Sequence, residues 1–256
     1  MMMITKTIPI LILFFITSMT YGQRAHCEKL LTNFDLSDIE KACLDELKVN
    51  AVGNLTRLDS YYQIEVYAGK NTLIVKNIDK EEILAGDTTK LRNILSVRPN
   101  IKHLEISVLL ESGDIHTYLS NILGSVGPKR VLKNHELYGA VDIDIHNGST
   151  IVLNNLTKRL LYFKEQANSL AQESHRHDEL ETVKELPSIH NYQSMSVDPK
   201  SGIIYLLTEN GEVFIWENSS GGLKLHKEGL SGDSLFYDAT NGVLKLRTPS
   251  GLQDLN

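Results

Sequence analysis

The sequence predicts an all-β domain assembled from repeated antiparallel sheets, and three observations carry that reading. Residues 194 to 217, SMSVDPKSGIIYLLTENGEVFIWE, hold three short apolar, β-branched segments separated by two turn signals. Similar units recur, with first strands opening at residues 64, 104, 141, 195 and 235, at intervals of 40, 37, 54 and 40. Periods near 40 with several strands in each are the mark of β-propeller blades. The expected fold class is therefore a five- or six-bladed β-propeller, preceded by a short disulfide-stapled helical hairpin. The 256 residues are 41% hydrophobic and 23% charged, an ordinary globular composition with ample length for such a core. An open β-array or a β-sandwich built from hairpins is the competing architecture.

Residues 1 to 22 read as a secretory signal. One cation, Lys6, precedes the uninterrupted apolar run Ile10 to Ile16, and Thr20 and Gly22 supply the small positions for a cut after Gly22. The competing reading, a membrane anchor, needs about 20 apolar residues, and this run is shorter. Cys27 stands too far behind the run for a lipoprotein-type modification. Cleavage leaves 234 residues with 25 Lys and Arg against 32 Asp and Glu, a formal charge of −7. The chain is then secreted or periplasmic, with no membrane span after cleavage. No cluster of cations offers the footprint that nucleic acid requires, so nucleic acid is excluded as a partner.

Residues 23 to 50 predict the helical cap. Cys27, Leu30, Leu31 and Phe34 share one helical stripe, and Ile39, Cys43 and Leu47 share another. Ser37 and Glu40 have the spacing of a capping box at the start of the second helix. In an oxidising compartment a pair at short spacing reads as one disulfide, Cys27 to Cys43, and two buried free thiols are the other possibility. A loop this short gives about 3 kcal/mol in the chain-entropy model.

Residues 51 to 256 form the expected propeller-like domain. Its units are Ile64 to Val75, Leu104 to Leu119, Val141 to Phe163, Met195 to Trp216 and Leu235 to Leu246, each with a turn of Asn, Asp, Gly or Ser between strands. A charged stretch at about 166 to 185 lengthens the third interval and reads as an insertion on one rim. A sixth blade has room in Leu119 to Leu137 or in Val49 to Tyr62, and the segment before Tyr61 is expected to supply the outer strand missing from the last unit.

The pattern V-D-P-x-S-G-I-I-Y-L-L-T-x-N-G-E-V-F-I-W at residues 197 to 216 resembles the blades of bacterial propellers of the NHL, YVTN and gluconolactonase-like kind. The copy at 238 to 246 resembles it less closely. Trp216 is followed by Glu217, so the Trp-Asp pair of WD repeats is absent. The resemblance implies a bladed fold, and in the gluconolactonase-like members a divalent cation held in the central channel. It makes Asp142, Asp144, Asp198 and Asp238 candidate ligands. The simpler reading is that each aspartate accepts backbone N–H bonds in its own turn, since Glu and Asn partners for a metal are not evident.

Other chemistry finds less support. His175, His177 and Asp178 form an H-x-H-D cluster able to take a borderline metal, but Arg176 sits within it and no fourth ligand has metal-site spacing, so a solvated loop is the simpler reading. There is no G-x-S-x-G elbow, and Gly124-Ser-Val-Gly127 before Pro128 and Lys129 lacks the ending of a P-loop. Sequons at Asn54, Asn147, Asn155 and Asn218 carry no functional inference. No catalytic residue and no cofactor is assigned. The functional expectation is an exported, non-enzymatic binding or scaffold protein that recognises a protein, peptide or glycan through the loops of one propeller rim. The alternative is a metal-dependent, lactonase-like or other hydrolase with its site in the channel, and a third reading is a redox or metal sensor using the His175/His177 loop.

Overall fold

A computed structural model describes residues 48–57, 60–68, 73–77, 82–85, 91, 93–100, 105–119, 128, 130–165, 178–217, 222–239, 241–248 and 250–255. All but Lys48 belong to the second of the chain's two compact units, Val49–Asn256. Among the described residues nineteen strands account for most positions, and the one helical segment is the 3-10 turn His135–Leu137.

The strands are grouped in chain order into five antiparallel meanders. The first sheet is β1 (Lys48–Arg57), β2 (Ser60–Ala68), β3 (Leu73–Asn77) and β4 (Glu82–Ala85), and the second is β5 (Ile94–Asn100), β6 (Glu105–Leu110), β7 (Ile115–Leu119) and β8 (Arg130–Leu132). The third is β9 (Ala140–His146), β10 (Ser149–Asn154), β11 (Arg159–Glu165) and β12 (Asp178–Glu185). The fourth is β13 (Tyr192–Val197), β14 (Ile204–Thr208), β15 (Val213–Glu217) and β16 (Gly222–Lys227), and the fifth is β17 (Ser234–Asp238), β18 (Val243–Thr248) and β19 (Gly251–Asp254). Successive four-stranded meanders whose first strands lie side by side, β5 on β9, β9 on β13 and β13 on β17, are the architecture of a β-propeller.

The apolar runs follow from this stacking. In β10, Val152 packs toward the second sheet with Leu109, Ile115 and Ile143, while Ile151 and Leu153 pack toward the fourth with Met195, Ile204 and Trp216. A third cluster, Leu207, Val213, Leu235, Leu244 and Leu246, fills the space between the fourth and fifth sheets. A blade in the middle of the stack buries both faces, so its strands read as unbroken apolar runs rather than as an alternation.

Several expectations are corrected. The expected count of five or six blades is corrected: among the described residues four sheets are complete four-stranded blades, and the last sheet has three strands. The first strand of the first sheet is β1, so Val49 to Arg57 pairs within its own sheet and does not complete the last one. The repeats begin at β1, β5, β9, β13 and β17, giving spacings of 46, 46, 52 and 42 residues. The charged insertion is shorter than expected: residues 178–185 are β12, the outermost strand of the third sheet. Its exposed outer positions explain the charge, and charge on a sheet edge discourages pairing with another chain. Of the expected hairpin at 23 to 50, residues 48–50 open β1 and are extended; the rest, with Cys27 and Cys43, lies outside the described residues, as do His175 and His177.

Asn154, fully buried at the end of β10, ties two loops together. Its Nδ2 donates to the carbonyls of Glu136 (2.7 Å) and Tyr138 (2.9 Å), and its Oδ1 accepts from the N–H of Thr157 (3.0 Å). Asn154→Ala leaves two carbonyls and one N–H without partners and is expected to cost about 2 kcal/mol, read from the urea midpoint.

Candidate functional site

The inner strands of the second, third and fourth sheets carry a polar, apolar, polar triplet at the same place: Ser96 and Arg98 on β5, Asp142 and Asp144 on β9, Ser194 and Ser196 on β13. An inner strand has a sheet neighbour on one side only, so the N–H groups on its other edge need partners from elsewhere. The triplets supply them. Asp142 Oδ2 accepts from Met195 N–H (2.9 Å) and Ser194 Oγ (2.7 Å), and Asp144 Oδ2 accepts from Val197 N–H (2.8 Å). Ser194 Oγ in turn accepts from Leu235 N–H and Ser196 Oγ from Tyr237 N–H, both at 2.9 Å.

Arg98 closes this network. Only 4% exposed, it donates from Nη2 to Asp142 Oδ2 (3.0 Å), to the Met195 carbonyl (2.9 Å) and to the Leu235 carbonyl (3.2 Å), so one side chain of the second sheet touches inner strands of the third, fourth and fifth. Its Nε stands 4.0 Å from Asp144 Oδ2, an ion pair without a hydrogen bond. Ser96 Oγ donates to Asp142 Oδ1. Burial pushes the pKa of Asp144 up, and the Arg98 charge together with the N–H groups of Ile145 and Val197 only partly offsets that.

The four candidate aspartates do not converge. Asp142 and Asp144 are adjacent, and the cation they face is the Arg98 guanidinium. Asp198 and Asp238 each shape their own turn. Asp198 accepts from Lys200 N–H (2.9 Å) and Ser201 Oγ (2.6 Å), Asp238 from Asn241 N–H (3.2 Å) and Asn241 Nδ2 (2.8 Å). Among the described residues no three His, Cys, Asp or Glu side chains stand together as metal ligands, and Asp178 opens β12. Arg98 was missed in the sequence because Arg98-Pro99 interrupts the apolar pattern. The signal that could have found it is the recurrence of polar, apolar, polar triplets at the head of successive repeats.

A second arrangement lies on the rim where the inner strands begin. There the link before β9, the β10–β11 turn, the link before β13 and the β14–β15 turn form one hydrogen-bonded surface. Asn155 N–H donates to the Gly139 carbonyl (3.2 Å), and Asn155 Oδ1 accepts from Tyr192 N–H (2.8 Å) and Lys158 Nζ (2.7 Å). Lys158 Nζ also donates to Asn191 Oδ1 (2.8 Å), and Glu209 N–H donates to the Asn191 carbonyl (2.8 Å). On this scaffold three large apolar side chains face solvent: Tyr138 at 73%, Leu156 at 63% and Ile189 at 84% exposure. Leu156 sits directly over Gly139, where an added Cβ would come within 2.4 Å of its own. None of the three had a sequence signal, because a single apolar residue in a loop looks the same whether it is covered or bare.

No family model matches the chain, and no curated protein matches it. Among solved structures it is similar to the β-propeller domain of Myceliophteria thermophila Cps50 (Swd1), at 10% sequence identity, covering 75% of this chain and 67% of that one, with a TM-score of 0.49.

Proposed function

We propose that this protein is an exported, non-enzymatic binding module that recognises a protein, peptide or glycan through its leading rim, the one on which the inner strands begin. The observation that carries the reading is the exposure of Tyr138, Leu156 and Ile189 on loops held rigid by the Asn154, Asn155 and Lys158 hydrogen bonds. Bare apolar side chains on a preorganised surface lose little conformational entropy on binding, which favours recognition. The inner strands offer no comparable opening for catalysis, since their carboxylates are engaged by Arg98 and by backbone N–H groups. Kinship with the NHL, YVTN and gluconolactonase-like propellers is supported by the blade pattern at 197 to 216. In that pattern Asp198, Gly202 and Gly211 build turns and Trp216 fills core, all framework roles.

Peptide-display and glycan-array selections against the full chain test this. Ligands selected by the wild type are expected to bind about a hundredfold more weakly to the triple variant Tyr138→Ser, Leu156→Ser, Ile189→Ser, with little change in folding stability, because exposed positions contribute little to it. Selected ligands indifferent to the triple variant would remove this rim as the binding surface. Export and the Cys27–Cys43 bond are tested by mass: a mature species beginning at Gln23, gaining two hydrogens on reduction, is expected.

A further inference from the structure

The fourth and fifth sheets carry the same turn at the end of their inner strands, Asp198-Pro-Lys-Ser-Gly202 and Asp238-Ala-Thr-Asn-Gly242. In both, the glycine N–H donates to the aspartate carbonyl at 2.8 Å, and the glycine has positive φ, +73° and +68°. The turns differ in what faces the carboxylate. Lys245 Nζ lies 3.1 Å from Asp238 Oδ2, so the fifth sheet supplies its own cation. The matching position in the fourth sheet, three residues past the glycine, is Tyr205.

Asp198 is only 9% exposed, and its partners are neutral: the N–H of Lys200, the Ser201 hydroxyl and the Tyr237 hydroxyl. Burial acts to raise its pKa, but these donors outweigh it and hold the carboxyl below its usual range, charged at neutral pH. Beside it the rings of Tyr205 and Tyr237 are stacked, centroids 6.0 Å apart and planes 14° apart, and the His226 ring lies 5.9 Å from Tyr205. Burial and then the Asp198 charge push both phenols up, which places that charge against both rings. Lys200 belongs to the turn itself, but only its backbone N–H reaches the carboxylate, and Lys224 and Lys227 lie on β16. They act on His226, whose pKa burial, foremost, and these two charges lower; neither pairs with Asp198. Among the described residues Asp198 has no ion-pair partner, although its twin does.

We propose that the notch formed by Asp198, Tyr205 and Tyr237 binds the ammonium or guanidinium group of a basic side chain carried by a partner peptide, in place of the lysine that the fifth sheet provides for itself. A carboxylate with two aromatic rings at its border attracts a cation through charge and through the ring quadrupoles. The formal charge of −6 draws basic segments toward the chain. The notch lies where inner strand β13 ends, on the rim opposite Tyr138, Leu156 and Ile189, and stands independently of the function proposed above.

The test is an NMR titration of the full chain with two probes, butylammonium ion and the peptide acetyl-Gly-Ser-Lys-Ser-Gly-amide, with norleucine for lysine as the control peptide. Saturable shifts are expected at the amides of Lys200, Ser201 and Gly202 with both probes and not with the control. Tyr205→Lys, which installs the internal cation, is expected to weaken binding by about tenfold or more, and Tyr205→Phe to preserve it. Conversely, Lys245→Tyr is expected to create a second response at Asn241 and Gly242. Should Tyr205→Lys fail to fold, as judged by Trp216 fluorescence, Asp198→Asn keeps the turn's acceptor and gives the same reading. No response at these amides, or one unchanged in Tyr205→Lys and Asp198→Asn, overturns the proposal; a response to butylammonium with none to the peptide overturns the peptide assignment.

Discussion

Replacing Arg98 by methionine is expected to cost about 3–5 kcal/mol of folding free energy, a large part of the roughly 5–15 kcal/mol that a domain possesses. Methionine keeps much of the volume, so the loss reports charge and hydrogen bonding rather than a cavity. Without the guanidinium, Asp142 keeps three donors from β13 and Ser96, Asp144 loses the cation that lowers its pKa, and the carbonyls of Met195 and Leu235 lose a donor. The pH dependence separates this from a packing defect. Asp144 already has a raised pKa, so its contribution favours folding at low pH and is lost as pH rises through the folded-state value. Removing Arg98 raises that value further. The stability gap between wild type and Arg98→Met should therefore narrow as pH falls toward the ordinary carboxylate value of about 4. Asp198 and Asp238, with lowered values, run the opposite way, stabilising above the ordinary value and losing that as pH falls through the folded one, and they do so equally in both proteins. Urea midpoints at neutral pH and near pH 4 measure the gap; a gap independent of pH would mean that Arg98 acts through packing alone.

Gly211→Ala is expected to cost about 3–4 kcal/mol, against about 1 kcal/mol for Gly148→Ala. Both glycines sit in hairpin turns with nearly equal positive φ, +76° and +79°, so the strain of a left-handed alanine is common to the pair. Their surroundings differ. A Cβ at Gly211 would lie 2.0 Å from the Leu230 carbonyl oxygen and 3.0 Å from its carbon, whereas one at Gly148 meets nothing within 4 Å. The obstacle at Gly211 is backbone, and Leu230 N–H is bonded to the Gly211 carbonyl at 3.0 Å, so the link into β17 cannot withdraw without losing that bond. Equal losses for the two variants would show that the link yields more freely than its hydrogen bond implies.

The sequence made the middle of each blade plain and its margins obscure. Strands β10, β14 and β15 are buried on both faces, and their Thr-Ile-Val-Leu, Ile-Tyr-Leu-Leu and Val-Phe-Ile-Trp runs could be read directly. Outer strands such as β12 and β16 are largely exposed, so Asp-Glu-Leu-Glu-Thr and Gly-Leu-Lys-Leu-His look like loop. Innermost β5 was lost for a different reason: a strand that faces its neighbours with hydrogen-bonding side chains carries Ser96 and Arg98 where a core strand would carry apolar residues. Asp142 and Asp144 stood out as acids at a strand, but their partners lie 44 to 53 residues away, and pairing over such distances depends on which strand of each repeat is innermost. The Asp198 and Asp238 turns, closed by bonds within five residues, were legible because everything that determines them is local.

The hydrogen bonds between inner strands have a direction. Asp142 and Asp144 of the third sheet receive N–H groups of the fourth, and Ser194 and Ser196 of the fourth receive those of the fifth; at the next step the place of Ser196 is taken by Phe236, which has no acceptor to offer. During synthesis the third and fourth sheets thus display side-chain acceptors before the strand that will donate to them has been made, whereas the second displays donors, Ser96 and Arg98. A circular permutant that delivers the fourth sheet before the third would have to form it with the N–H groups of Met195 and Val197 lacking their carboxylate acceptors until the third is made.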